Sequence, residues 1–266
     1  MDALRRVVIV GFSVLSIGLG GCGPTDPPRP APEPATRRTT ASGEVVGFVG
    51  EYGSHVWLGI PFAAPPVGGL RWRAPQPPQS WTGVREALAF GSVCPQYASP
   101  FGGVKKAREG TPVGSEDCLY LNVYAPRFAT GEVPAGTARL PVMLWIHGGG
   151  NTIGEAGFYN GGNLAAQQKV IVVTTSYRLG PFGWFRHAAL RDDGTDALDR
   201  SGNFGTLDLV RALQWIKDNA AAFGGDPDNV TIFGESAGGA TCSRCCCRRR
   251  PKGCSSVPSS RAAACS

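Results

Sequence analysis

The apolar positions of this chain follow two spacings, one typical of β-strands and one typical of α-helices. Segments 44–49, 55–60 and 119–124 alternate apolar with small or polar residues, which predicts strands with one buried face. Segments 141–146 and 170–176 are largely continuous apolar runs, as expected of strands that are buried on both faces. The pattern therefore predicts a sheet that begins with a hairpin and continues with buried strands.

Segment 207–223 instead carries apolar residues at helical spacing and ends at Gly224 and Gly225, which together are a helix stop. Segment 229–233 then predicts another strand, whereas the many prolines of 61–78 predict irregular backbone. Strands that alternate with helices indicate the α/β class with a mostly parallel, doubly wound sheet, here preceded by an antiparallel β region.

The first 22 residues have the features of an export signal. Arg5 and Arg6 precede the apolar stretch 7–19, which is shorter than the about 20 residues of a membrane span. Small residues then lead to Cys22 and resemble a bacterial lipobox, whose cysteine is lipidated and becomes the new N-terminus. A plain signal peptide with an incidental cysteine is the alternative. Both interpretations predict export from a bacterial cytoplasm, either to a membrane surface through lipid chains or to the periplasm or medium.

Composition divides the remaining chain into a linker, a body and a tail. Residues 23–42 are rich in Pro, Thr and Arg and are predicted to form a flexible tether. The net charge of +6 lies entirely in 241–266, because the last 26 residues hold six basic side chains and no acidic one. Residues 1–240 are therefore neutral overall, and the body, 43–240, is long enough for one large domain, so charge gives no argument for a nucleic-acid partner.

Residues 234–238 read Gly-Glu-Ser-Ala-Gly and fit the G-x-S-x-G pattern of a nucleophile elbow. They follow the predicted strand 229–233, and small residues come after them. In such a turn, strained backbone holds the hydroxyl of Ser236 clear of the sheet for attack on a substrate. The pattern alone is a weak signal, and here its strand context supports it.

A second motif, His147 followed by three glycines, comes directly after the predicted strand 141–146. Glycine-rich backbone at this point can aim N–H groups at an oxyanion, here those of Gly149 and Gly150 together with that of Ala237. Taken alone, the motif also fits a flexible turn with a structural histidine. The order of the two motifs and their strand context favour the catalytic interpretation.

The chain resembles the type B carboxylesterases, the family that includes the cholinesterases. Besides the two motifs above, segments in the family's order carry the resemblance over 43–240: IPFA at 60–63, LRW at 70–72, SEDCLYLNVY at 115–124, YRLG at 177–180, GNFG at 202–205 and FGGDP at 223–227. The resemblance implies the α/β-hydrolase fold, hydrolysis of small-molecule esters through an acyl-enzyme on Ser236, and no metal or organic cofactor.

The resemblance also implies roles for residues around the two motifs. Cys94 and Cys118 match a disulfide of the family, which suits an exported protein. Glu235 matches a buried acid that shapes the site together with His147, and Asn151 stands where many members place an aromatic residue. Four further residues match structural ion pairs: Arg71 with Glu116, and Arg178 with Asp208.

The sequence after Ser236 contains no Asp, Glu or His. A serine hydrolase of this fold takes its acid and its histidine from later in the chain, in the order Ser, Asp or Glu, His. The histidines present, His55, His147 and His187, all precede Ser236, and none is expected to be the base. We therefore expect little or no turnover from the chain as written, and a sheet in which strand 229–233 is an exposed edge. The alternative is a catalytically dead, exported binding protein or a non-functional truncated product, but the retained nucleophile and glycine motif favour an esterase lineage.

The tail 241–266 is rich in Cys and Arg and shows no hydrophobic period, so we expect no helix packed behind the elbow. Three interpretations are open: a metal site, which the lack of paired C-x-x-C units and of histidine disfavours; a basic nucleic-acid segment; and a frameshift. With G+C-rich codons and a frame that begins one nucleotide earlier, 245–256 decodes as Leu-Leu-Leu-Ser-Pro-Ala-Ala-Glu-Gly-Leu-Phe-Gln, which looks like the helix that the family has after the elbow. The sequence thus favours the N-terminal part of an esterase domain joined to an out-of-frame tail.

Overall fold

The computed structural model describes residues 29–104, 107–190, 196–248 and 263–265, and for 243–248 and 263–265 it describes the backbone alone. The predicted signal peptide and lipobox, with Cys22, lie outside these residues. The strands are β1 (Arg38–Thr40), β2 (Gly43–Val46), β3 (Phe48–Val49), β4 (His55–Pro61), β5 (Val84–Glu86), β6 (Gln96–Tyr97), β7 (Pro112–Val113), β8 (Tyr120–Ala125), β9 (Leu140–Ile146), β10 (Ile171–Thr175), β11 (Gly225–Gly234) and β12 (Ala263–Cys265). The α-helices are α1 (Gly162–Gln168), α2 (Gly180–Gly183), α3 (Phe204–Asn219) and α4 (Ala237–Arg248). Within the described ranges, no helix is long and apolar enough to cross a membrane.

A seven-stranded sheet forms the centre of the fold, in the order β12-β11-β9-β10-β8-β4-β3. Strands β11, β9 and β10 run parallel, with Val142 aligned with both Ile171 and Val230, whereas β8, β4 and β3 are antiparallel. The predicted α/β class and antiparallel N-terminal region are confirmed. The sheet is mixed rather than mostly parallel, because in the described part of the chain only β9, β10 and β11 are joined by helical crossovers.

Apolar packing against the sheet explains why the strands form where the pattern predicts them. Every residue of β10 is buried, whereas in β9 the buried residues Val142, Leu144 and Ile146 alternate with partly exposed ones. Trp57 of β4 meets the ring of Phe223 edge-on, with ring centroids 4.8 Å apart. Burial of each large apolar side chain contributes about 1.5–3 kcal/mol, so this core dominates the stability of the sheet.

The folded domain begins before the predicted boundary at residue 43. Strand β1 pairs with β2 in a small sheet of order β1-β2-β5, and the buried Thr36 hydroxyl accepts a hydrogen bond from the Gly47 N–H at 2.7 Å. Arg38 is buried over the ring of Trp57, with 5.2 Å between the guanidinium carbon and the ring centroid. The last residues of the predicted tether are therefore part of the domain, because they pair with β2 and pack on Trp57.

Three links that the resemblance implies are present: the disulfide Cys94–Cys118 and the ion pairs Arg71–Glu116 and Arg178–Asp208. Of these, the pair between Arg178 and Asp208 is completely enclosed. The Arg178 Nε and Nη2 groups donate to the two carboxylate oxygens at 2.9 and 2.7 Å, and the Arg178 backbone N–H donates at 3.0 Å. This pair ties the segment after β10 to α3.

The chain after the elbow differs from the prediction in two ways. The expectation of no helix behind the elbow is wrong, since α4 continues to Arg248 and buries Thr241 and Cys242. Small residues make this helix possible, because they let its backbone approach the sheet without large apolar side chains. The expectation of an exposed edge is also wrong at residues 232–234, where β12 pairs antiparallel with β11. Backbone hydrogen bonds form this pairing, and they require no side-chain pattern.

Candidate active site

The elbow is a tight turn between β11 and α4. Ser236 has a φ of +54°, in the left-handed region where such a residue costs about 1–3 kcal/mol. Two hydrogen bonds hold the turn: the Gly238 N–H donates to the Glu235 carbonyl at 2.9 Å, and the Ala240 N–H donates to the Ser236 carbonyl at 3.1 Å. Ser236 is exposed, and its hydroxyl has no hydrogen-bond partner among the described residues. The turn thus presents a serine hydroxyl to solvent on a strained, braced backbone.

Strand register brings the glycine motif beside the elbow. Ile146 at the end of β9 lies opposite Gly234 at the end of the parallel strand β11, so the segments that follow both strands leave the sheet together. A Cβ on Gly238 would lie 2.1 Å from the Ile146 carbonyl oxygen, and a Cβ on Gly148 would lie 3.2 Å from the Cβ of Ser236. Glycine at these two positions therefore sets how closely the two segments approach each other.

Residues 147–154, here called the glycine loop, fold back on themselves directly after β9. Gly149 and Gly150 have φ angles of +89° and +62°, and the Gly149 carbonyl accepts hydrogen bonds from the N–H groups of Thr152 and Ile153 at 3.0 and 3.1 Å. The N–H groups of Gly149, Gly150 and Ala237, which lie near the elbow, have no protein acceptor in the described part of the chain. Backbone donors of this kind can bind an oxygen atom that carries negative charge.

His147 holds the glycine loop and is not placed to act as a general base. Its ring stacks on the ring of Tyr177 with centroids 4.4 Å apart, and the Tyr177 hydroxyl donates to the His147 carbonyl at 2.8 Å. The His147 Nδ1 atom lies 2.9 Å from the Gly148 carbonyl oxygen. Burial lowers the pKa of His147 to about 4, so the ring is neutral near pH 7.

Glu235 does not have the buried position that the resemblance implies. It is exposed, because none of the described elements covers the outer side of the elbow. Burial raises the pKa of the neighbouring Tyr159, and the charge of Glu235 and its hydrogen bond to that hydroxyl raise the pKa further. In this structure, Glu235 therefore contacts Tyr159, which follows the glycine loop, from an exposed position.

The other two histidines do not contact Ser236. His55 is in β4, which three strands separate from β11 in the sheet. His187 is exposed, and its Nδ1 atom accepts a hydrogen bond from the Ala189 N–H at 3.1 Å. The described residues also contain no group of three or more His, Cys, Asp or Glu side chains that could hold a metal ion. The structure thus brings the serine and the N–H donors together without a general base among the residues that it describes.

Gln96 contacts the glycine loop, although the sequence analysis did not single it out. Its Nε2 group donates to the Gly154 carbonyl at 2.9 Å, and its Oε1 atom accepts from the Gly154 N–H at 2.8 Å. The place of Gln96 two residues after Cys94 is visible in the sequence. The contact itself spans 58 residues of chain, so no local pattern reveals it.

Comparison with known proteins identifies the family. The profile described as Carboxylesterase family matches residues 34–254. The chain belongs to this family. The para-nitrobenzyl esterase of Bacillus subtilis (strain 168) is 48% identical over 203 residues, which are 76% of this chain and 38% of that esterase. The fumonisin B1 esterase of Sphingopyxis macrogoltabida is 44% identical over 209 residues, which are 77% of this chain and 36% of that esterase.

Solved structures of the family share the fold. A carboxylesterase of Geobacillus stearothermophilus superposes with a TM-score of 0.64 at 43% identity, over 77% of this chain and 39% of that one. The α/β-hydrolase fold is thereby confirmed. The chain spans 36–39% of the length of these three relatives. The family match begins at residue 34, in agreement with the folded segment that precedes residue 43.

Proposed function

We propose that this chain carries the nucleophile and the oxyanion donors of a serine carboxylesterase, with Ser236 as the nucleophile. The observation that supports this most is the exposed serine at a φ of +54° beside the glycine loop. The matched relatives are named as esterases, so we propose a small-molecule carboxylic ester as the substrate. No cofactor takes part in the proposed reaction.

In this reaction, the Ser236 oxygen attacks the carbonyl carbon of the ester, and the carbonyl π electrons move onto the carbonyl oxygen. The free N–H groups of Gly149, Gly150 and Ala237 bind that oxyanion, and one such donor stabilises a transition state by roughly 2.7–4 kcal/mol. Collapse of the tetrahedral intermediate breaks the bond to the alcohol and leaves an acyl group on Ser236. Water then releases the carboxylic acid and restores the serine.

Two proton transfers in this sequence need a general base that becomes an acid. The serine proton must leave as the oxygen attacks, and a proton must reach the departing alcohol. Burial lowers the pKa of His147 to about 4, which makes it a weak base, and its ring is packed on Tyr177, so this histidine does not serve. We propose that the base and its acid belong to the part of the whole esterase that this chain does not span, and that the chain as written turns over little or no ester.

The test is hydrolysis of a short-chain para-nitrophenyl ester by the purified chain and by its Ser236→Ala variant, with para-nitrobenzyl esterase as the positive control. We expect both forms of the chain to release para-nitrophenol at the same background rate, about 10⁶-fold below the rate of an intact serine hydrolase. Ser236-dependent turnover near that of the positive control would show that the chain holds its own base.

We also propose that the protein is exported. The disulfide Cys94–Cys118 supports an oxidising compartment, in which such links persist. Lipidation at Cys22 would hold the protein at a membrane surface, and cleavage as a plain signal peptide would release it. Metabolic labelling with a palmitate analogue, compared between the native sequence and Cys22→Ser, distinguishes these two outcomes.

A further inference from the structure

We propose that Gln96 is a positioning residue for the glycine loop. Gln96 belongs to the loop 94–118, which a disulfide closes, and through its amide this loop holds the oxyanion donors in place. The inference rests on the proposed function, because the position of the glycine loop matters to chemistry only if this loop binds an oxyanion. The contacts themselves are a property of the structure.

Both the oxygen and the nitrogen of the Gln96 side-chain amide form hydrogen bonds to backbone groups. Its Oε1 atom accepts from the Gly154 N–H at 2.8 Å, and its Nε2 group donates to the carbonyls of Gly154 and Cys94 at 2.9 and 3.1 Å. The side chain is 8% exposed, and Gly154 is buried. One planar amide thus fixes both polar groups of one residue in the glycine loop.

Gln96 is itself held by the loop that carries it. It lies in β6 opposite Val113 of β7, and the disulfide Cys94–Cys118 encloses both short strands. The loop is also packed closely, because a Cβ on Gly102 would lie 3.2 Å from both the Gln96 Oε1 atom and the Gly154 nitrogen. Without the amide, the Gly154 N–H and carbonyl would therefore be buried without partners, which is costly.

Gly154 is linked to the oxyanion donors through close contacts of Ile153 with Gly149. The N–H of the preceding Ile153 donates to the Gly149 carbonyl at 3.1 Å, and a Cβ on Gly149 would lie 2.1 Å from the Ile153 carbonyl oxygen. A Cβ on Gly154 would likewise lie 2.2 Å from the His147 Nδ1 atom. A displacement of Gly154 therefore shifts Gly149 and His147, because there is no free space between them.

The first test is amide hydrogen exchange in Gln96→Leu, with Gln76→Leu as the matched control. Gln76 is an exposed glutamine whose Nε2 group donates to the carbonyl of the nearby Ala74 at 3.2 Å. In Gln96→Leu we expect the Thr152 and Ile153 amides to exchange at least about fivefold faster while β10 amides keep their protection, and Gln76→Leu to match the native chain. Faster exchange confined to the Gly154 amide would reduce Gln96 to a local partner and overturn the proposal.

A second variant, Gln96→Glu, decides the matter if Gln96→Leu does not fold. A neutral carboxyl can accept from the Gly154 N–H and donate to its carbonyl, whereas a carboxylate only accepts and repels the carbonyls of Gly154 and Cys94. Relative to the native chain at each pH, we expect native protection of Ile153 below the pKa of the introduced carboxyl and at least about fivefold less above it. A protection ratio that does not change with pH would overturn the proposal.

Neither exchange experiment requires turnover. The positioning role and the esterase function can therefore fail separately. Unchanged exchange in both variants contradicts the first, and a Ser236 that is not acylated in the protein encoded by the restored reading frame contradicts the second.

Discussion

Two histidines are buried without charge, and this makes the stability of the fold depend on pH. Burial lowers the pKa of His55 and of His147 to about 4, and the guanidinium groups of Arg38 and Arg127 lower that of His55 further, against a smaller opposite effect of Glu33. A histidine in an unfolded chain has a pKa of about 6.5. Between about pH 6.5 and pH 4, the unfolded state therefore binds more protons than the folded state. Their contribution to stability is complete above about pH 6.5 and is lost as the pH falls through 4.

We expect His55→Phe to weaken this acid sensitivity. The His55 ring lies edge-on to Trp57 and Phe128, with centroid distances of 6.0 and 6.4 Å, so a phenyl ring suits the site. Urea unfolding at a series of pH values gives the free energy of unfolding as a function of pH. Below pH 6.5, the slope of this free energy against pH should be smaller in His55→Phe than in the native chain, by up to about 1.4 kcal/mol per pH unit. A slope equal to the native one would mean that His55 is already charged in the fold.

For individual residues, the sequence predicts a role where the local backbone conformation alone determines it. Ser236 and Gly238 follow from the elbow motif, because the turn needs a strained serine and a glycine wherever it occurs. The exposure of Glu235 and the contact of Gln96 with Gly154 do not follow, since they depend on which distant segments cover these residues.

Among the elements, β9 and β11 lead into the site, and α3 packs against β11. The sequence predicts all three, and their bounds differ from the prediction by a few residues, because strand and helix ends are set by neighbouring backbone rather than by apolar spacing. It does not predict that α4 continues through residue 248, because small residues rather than an apolar stripe pack this helix. The pattern of hydrophobic positions thus identifies elements that bury large side chains and misses those that do not.

The ion pair between the segment after β10 and α3 gives a prediction at this scale. We expect Asp208→Ala to lower the free energy of unfolding by about 3–5 kcal/mol, because Arg178 would keep its buried charge without a partner. In the control Asp228→Ala, the partner Lys217 lies at the surface, so we expect little or no loss. Equal losses for the two variants, measured by urea unfolding, would contradict the assigned role of the buried pair.

For the whole molecule, the seven-stranded sheet places the serine and its N–H donors at one end of β9 and β11. The sequence predicts the α/β class and the family, since long motifs with fixed order carry them. It does not predict that residues 34–42 fold against the domain, because a segment rich in Pro and Thr has the composition of a linker. The predicted frameshift at the tail stays a prediction, as does the missing base.

The central claim is that Ser236 is the nucleophile of a carboxylesterase, and acylation tests it most directly. The coding DNA over residues 234–254 is resequenced, the encoded protein is mixed with a para-nitrophenyl ester, and mass spectrometry locates the acyl group. Our account predicts a one-base change of frame and an acyl group on the peptide that contains Ser236, absent in Ser236→Ala. An acyl group on another residue, or the same acyl group in Ser236→Ala, would contradict it.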